Sequence, residues 1–114
     1  MIEVWIPGKL MNLSNVRLHW TKTAAYKRVW RQKVKLAIPP LPPGPKRVCL
    51  KATVWSLFDA HDGLRTALKP VVDGLIDARA IHSDAPDCGH EFLYAQQIDR
   101  QRRGVAIRIE ARNA

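Results

Sequence analysis

Residues 47–84 read RVCLKATVWSLFDAHDGLRTALKPVVDGLIDARAIHSD, and a change of period inside this stretch decides the fold. From Arg47 to Ser56, Val48, Leu50, Ala52 and Val54 alternate with Cys49, Lys51, Thr53 and Trp55, the period of two of a half-buried strand. From Leu64 to about Ala78, Leu64, Leu68, Val72 (with Val71) and Leu75 recur at helical spacing and define a core-facing stripe. Pro70 lies inside that run. An interior proline costs a helix about 3 kcal/mol, so the sequence predicts either a kink there or a helix that begins in earnest near Lys69. Lys69, Asp73 and Asp77 share another face at i, i+4 and i+8.

Working outward, Ile38 to Pro45 (IPPLPPGP) has too few amide donors for a sheet interior and reads as a stiff connector rather than a PxxP ligand. Before it, Thr21 or Thr23 is positioned to cap a helix running to about Ala37, with Tyr26, Val29, Trp30, Val34 and Ala37 on its core side. Ile2 to Ile6 reads as a short strand ended by Pro7-Gly8. Glu91 to Ile98 and Gly104 to Arg112 read as two closing strands around the basic turn Arg100 to Arg103. The order is β-α-β-α-β-β, an α+β domain with a small mixed sheet and two main helices on one side. With 114 residues and 46% hydrophobic content, the chain suits one domain spanning 1–114 and excludes a disordered or collagen-like polymer. MIEVWIPGKL lacks the apolar stretch of a signal peptide, and Cys49 and Cys88 have no metal-type pairing, so a soluble cytoplasmic protein without membrane association is expected.

The net charge of +9 is unevenly distributed. Residues 1–58 hold eleven Lys or Arg against Glu3 alone, whereas residues 59–91 hold seven acids against Arg65, Lys69 and Arg79. Basic flanks suggest a polyanion, with Arg17, Lys22, Arg28, Arg31 and Lys35 around the first helix and Arg100, Arg102 and Arg103 in the turn as candidate nucleic-acid contacts. Carboxylates repel phosphate unless they hold a divalent metal that bridges to it, so the acidic island points to a metal-dependent nuclease. Solvation of separate faces by separate charges is the other account of the same pattern.

Asp59 and Asp62 follow a strand directly and Asp84 follows the second helix, positions from which three carboxylates converge if the loops fold together. Lys69 stands either as an electrostatic partner of a scissile phosphate or as a simple i, i+4 ion pair of Asp73. A calcium loop is excluded because alternating oxygen ligands and a closing glutamate are missing after Asp59. His82, Cys88 and His90 match no common zinc spacing and read as exposed loop residues.

The stretch AHDGLRTALKPVVDGLIDARAIHSD (60–84) resembles the RusA-type Holliday junction resolvases, small metal-dependent endodeoxyribonucleases often encoded by phages and prophages. Asp62 and Leu64 match the family's Asp-x-Asp-Asn-Leu element, Lys69 its lysine, Asp73 its helical aspartate and Asp84 the second of its closing aspartates. Weaker similarity extends to Phe92–Gln97 and to Asn12, Asn15 and His19-Trp20. Ala60, Gly63, Arg79 and Ser83 depart from the pattern. Asp59 stands as the alternative source of the missing carboxylate and His61 as a substitute ligand, although imidazole suits Mg²⁺ poorly. The resemblance implies a homodimeric, Mg²⁺-dependent (or Mn²⁺-dependent) endonuclease that cuts four-way DNA junctions in recombination and repair. Lys69, Asp62 and Asp84 would be catalytic, Asp62, Asp84 and Asp59 metal-binding, and Asp73 supporting. A non-cleaving nucleic-acid-binding module of the same fold is the alternative.

Overall fold

The structure is a computed structural model that describes residues 1–11, 20–59 and 62–112. Arg17, Asn12, Asn15, His19, Ala60 and His61 therefore lie outside the described residues. The element order is β1 (Ile2–Pro7), α1 (Trp20–Ala37), β2 (Lys46–Val54), α2 (Gly63–Asp77), β3 (Glu91–Ile98) and β4 (Gly104–Ala111). Four strands form one mixed sheet in the order β1-β4-β2-β3. β4 pairs antiparallel with β1 and β2, while β2 and β3 run parallel, joined by α2. The expected α+β domain with two helices is what the chain forms.

Alternation in the strands sorts the sheet into two faces. Val48, Leu50, Ala52, Val54, Val105, Ile107 and Ile109 are buried in one cluster with Tyr26, Trp30 and Val34 of α1 and Leu64, Leu68, Val71 and Leu75 of α2. The opposite face carries Trp5, Arg47, Lys51, Leu93 and Arg108, partly or fully exposed. Both helices thus cover one side, and the other side stays open.

Three details of the helices differ from the sequence reading. Helix α1 starts at Trp20, so neither Thr21 nor Thr23 precedes it as a cap. Val29 is 47% exposed and Ala37 is also exposed, because the core stripe of α1 is narrow and runs through Tyr26, Trp30, Val34 and on to Ile38. Helix α2 begins at Gly63 rather than near Lys69 and continues through Pro70, which is itself buried. The ring leaves the Thr66 carbonyl without its helical donor. At the neighbouring carbonyl, Ala67, the buried Tyr26 hydroxyl donates a hydrogen bond of 2.8 Å from α1. Burial pushes the Tyr26 phenol up to about 12, with a hydrogen bond from the Met11 backbone acting the other way. Tertiary packing therefore supports the helix where local propensity would interrupt it.

The helices approach closely at Gly74, where a Cβ would lie 2.7 Å from Val34 Cβ and 3.0 Å from the Arg31 carbonyl oxygen. The connector after α1 is irregular as expected. Its carbonyls at Pro42 and Gly44 accept hydrogen bonds from the buried Lys46 ammonium, and the Leu41 amide donates to the Arg79 carbonyl at 3.2 Å.

Candidate functional site

Lys69 projects from the second turn of α2, and Asp73 lies one turn further along. The two form an ion pair at 3.1 Å. Asp84 arrives from the loop after the helix, and its carboxylate bonds the same Lys69 ammonium. Of the two alternatives for Lys69, the i, i+4 ion pair with Asp73 is present, and a second carboxylate fifteen residues away joins it. Lys69 is 52% exposed and the two aspartates about a third, so the cluster opens to solvent. Partial burial lowers the Lys69 pKa, but hydrogen bonds to Asp84 and Asp73 and their charges outweigh it and hold the ammonium above its ordinary value. Lys69 is thus a fixed cation at neutral pH and not a proton acceptor.

Two residues of β3 that the sequence reading treated only as strand complete this surface. Tyr94 stands under the Arg65 guanidinium, 5.2 Å from its ring centroid. Burial raises the Tyr94 pKa; Arg65 and Lys69 lower it and Asp84 raises it, so the phenol lies within electrostatic reach of the lysine–aspartate cluster. Gln96, two residues on and on the same face, holds the loop that carries Asp59 and Asp62. Its Oε1 accepts from the Phe58 amide and its Nε2 donates to the Phe58 carbonyl, both at 2.9 Å. The available signal was the period of two in β3, which puts Phe92, Tyr94 and Gln96 on the helix side.

The loop before α2 is tight. The Leu64 amide donates to the Asp59 carbonyl at 2.8 Å, and Asp59 Oδ1 accepts from the Asp62 amide at 3.3 Å. Asp62 occupies the N-cap position of α2, with no side-chain capping bond to the helix. A Cβ at position 63 would stand 3.3 Å from Asp59 Cβ, so Gly63 lets Asp59 pack against the helix start. At the other end of the stretch, Ser83 Oγ accepts from the Ala85 amide at 3.0 Å, a turn-forming bond of the kind an aspartate also makes. No group of three or more His, Cys, Asp or Glu close enough to hold a metal ion occurs among the described residues. The donors Asp62, Asp84 and Asp59 are hard oxygens that suit Mg²⁺, which keeps several waters and shares its coordination with substrate phosphates. The structure brings Asp84 to Lys69 and Asp73, and ties Asp59 to the Asp62 amide at the start of α2.

The described candidate DNA-contacting bases fall on two surfaces. Lys22, Arg28 and Lys35 are exposed on α1. Arg31 is not free as the sequence suggested: its Nε and Nη2 donate to the two carboxylate oxygens of Asp77 at 2.8 and 2.9 Å. Arg31 holds Asp77 below the usual carboxylate range by these bonds, with Lys35 adding its charge. The sequence reading missed this pair because α1 has no acid of its own and Asp77 lies 46 residues away. The second surface is the turn after β3. Asp99 Oδ1 accepts from the Gln101 and Arg102 amides, Arg100 Nε donates to the Trp55 carbonyl at 3.2 Å, and the Gly8 amide donates to the Arg103 carbonyl at 3.1 Å.

His82 and His90, expected as separate loop residues, are in contact: His90 Nε2 lies 3.0 Å from His82 Nδ1. His90 Nδ1 accepts from the Lys46 amide at 3.0 Å, and the His90 amide donates to Cys88 Sγ at 3.4 Å. Because Nδ1 is an acceptor, Nε2 carries the neutral ring's proton and donates to His82. His90 then has no lone pair for a metal, and the group is a structural clasp between the 82–90 loop and the start of β2. No helix among the described residues is long and apolar enough to cross a membrane. Compared with known proteins, the chain matches no family model, no curated protein and no solved structure.

Proposed function

We propose that this chain is a metal-dependent endonuclease of the RusA type, acting in the cytoplasm as a homodimer on branched DNA such as a four-way junction. The observation that carries the reading is the meeting of Lys69, Asp73 and Asp84, the residues on which the resemblance rests, in one solvent-open cluster. Asp62 and Asp84, with Asp59 in support, would hold Mg²⁺ or Mn²⁺, which when bound supplies an activated water and offsets charge on the phosphate. Lys69, a permanent cation there, stabilises negative charge developing on the phosphate oxygens. Asp73 keeps the ammonium aimed across the helix, Tyr94 and Arg65 wall the cluster on the sheet side, and Gln96 fixes the carboxylate loop through Phe58.

The test is nicking of a synthetic four-way junction with Mg²⁺ or Mn²⁺ and an EDTA control. Asp84→Asn and Asp62→Asn remove charge with little change of shape; cleavage falls by orders of magnitude while junction binding survives or tightens. Asp59→Asn decides whether that residue replaces the carboxylate absent at Ala60. A second reading, a non-cleaving DNA-binding module, is favoured by one observation: Lys69 already engages the Asp73 and Asp84 carboxylates. Wild-type protein that nicks no junction under either divalent ion establishes that reading instead.

A further inference from the structure

The open face of the sheet ends in a cluster of tryptophan and arginine. Trp55, one residue past β2, is 53% exposed. Two guanidiniums lie over its ring, Arg100 at 5.0 Å and Arg103 at 5.5 Å from the centroid. Arg102 lies over the ring of Trp5 at 4.7 Å. Trp5 rests on Gly104, where a Cβ would come within 2.6 Å of the Trp5 ring, so the glycine makes room for the indole over β4. The turn bearing the arginines is tied by the backbone and Asp99 bonds described above and by the Asp99 amide, which donates to the Val54 carbonyl at 3.1 Å. Its bases are thus presented in a fixed arrangement. Beside them a cleft of about 310 Å³ is lined by Lys9, Leu10, Trp55, Leu57, Phe58 and Arg103. Exposed Lys51 extends the positive charge along the open face.

We infer that this tryptophan–arginine platform is a binding site for unpaired DNA bases. The chemistry is specific in three respects. Indole rings and guanidinium planes both present flat π-faces on which a base stacks, and stacking of this kind contributes roughly 1–3 kcal/mol per base. The arginines supply charge complementary to the backbone of the same strand. A duplex keeps its bases stacked on one another and offers this surface only phosphates, so the platform discriminates for single strands. Trp55 and Asp59 are four residues apart, and Phe58, which lines the cleft, is the residue held by Gln96. The platform and the carboxylate loop therefore share the short segment that runs from Trp55 through Phe58 to Asp59. Binding does not require the nuclease reading, since no metal or cleavage takes part in it.

The test is fluorescence anisotropy with a labelled oligodeoxythymidylate and a duplex of equal length, in EDTA. Wild-type protein binds the single strand more tightly than the duplex. Trp55→Ala weakens single-strand binding by about tenfold or more and leaves duplex affinity and the salt slope unchanged. Trp55→Phe restores most of the affinity. Arg100→Lys keeps the charge but loses the planar stacking surface, and single-strand binding falls severalfold. If Trp55→Ala loses its thermal transition, Trp55→Leu replaces it, retaining apolar bulk without a π-face. Binding is read in EDTA, without metal or cleavage, and nicking in the junction assay, so loss of nicking and loss of single-strand binding are separate results. Equal single-strand affinity for wild type and Trp55→Ala, a parallel fall for single strand and duplex, or displacement of the oligonucleotide by polyglutamate at equal charge concentration each overturn the inference.

Discussion

At the scale of the residue, two roles are open to Lys69, surface ion pair or cation facing a phosphate, and substitution separates them. An exposed i, i+4 pair contributes well under about 1 kcal/mol, so Lys69→Ala is expected to leave the urea midpoint nearly unchanged. Loss of a cation positioned for phosphate costs cleavage about a hundredfold; unchanged nicking by Lys69→Ala would reduce the residue to a surface ion pair. His90 makes a different prediction. Burial, then the charges of His82 and Lys46, lower its pKa below the ordinary 6.5. As pH falls the unfolded chain binds the proton first, so the contribution of His90 is complete above about 6.5 and is lost as pH drops from there through the lowered value. The urea midpoint therefore decreases on acidification across that window. His90→Asn retains an acceptor for the Lys46 amide and flattens the decrease; an equally steep variant would show that other groups carry it.

At the scale of the element, α2 ends in a hydrogen-bonded reversal. The Ala80 amide donates to the Leu75 carbonyl and the Arg79 amide to Ile76, at 2.9 and 3.0 Å, with Arg79 at φ 62°. This is the Schellman arrangement, whose left-handed residue is usually glycine. Arg79 has the Cβ penalty of that conformation, about 1–2 kcal/mol, partly offset because glycine frees the unfolded chain. Arg79→Gly is thus expected to stabilise by roughly 0.5–1 kcal/mol, a rise of several degrees in Tm; a lower Tm would mean that the arginine side chain makes a compensating contact. The same element illustrates how far periodicity reaches. Leu64, Leu68, Val72 and Leu75 marked its buried face correctly. Of the two readings at Pro70, the late start near Lys69 does not hold, because the hydroxyl of Tyr26 and the packing of α1 act on α2 from 41 residues away.

At the scale of the whole molecule, the candidate DNA contacts of α1 and of the turn after β3 occupy two surfaces, the outer side of α1 and the end of the open sheet face. Binding to a four-way junction is expected to weaken steeply with salt, log K falling by about 0.9 per phosphate neutralised for each unit of log salt. A shallow slope would remove both surfaces from the DNA contact. Arg31→Glu now breaks a defined link between the helices, so its effect appears in stability as well as in binding. Light scattering at micromolar concentration is expected to return a dimer; a monomer would count against the two-fold symmetric mode. The sequence by itself determined the elements and their order, the interior face of β2, the buried stripe of α2 and the i, i+4 relation of Lys69 to Asp73, because period and spacing are properties of one stretch of backbone. Tertiary structure alone decided that β4 lies between β1 and β2, that Asp84 reaches Lys69, that Asp77 takes Arg31, that Gln96 holds Phe58, and that Trp55 gathers Arg100 and Arg103. These partners are 15 to 48 residues apart in the chain, and only the stacking of helices on one face of the sheet and the closing of its turns fix which side chains meet.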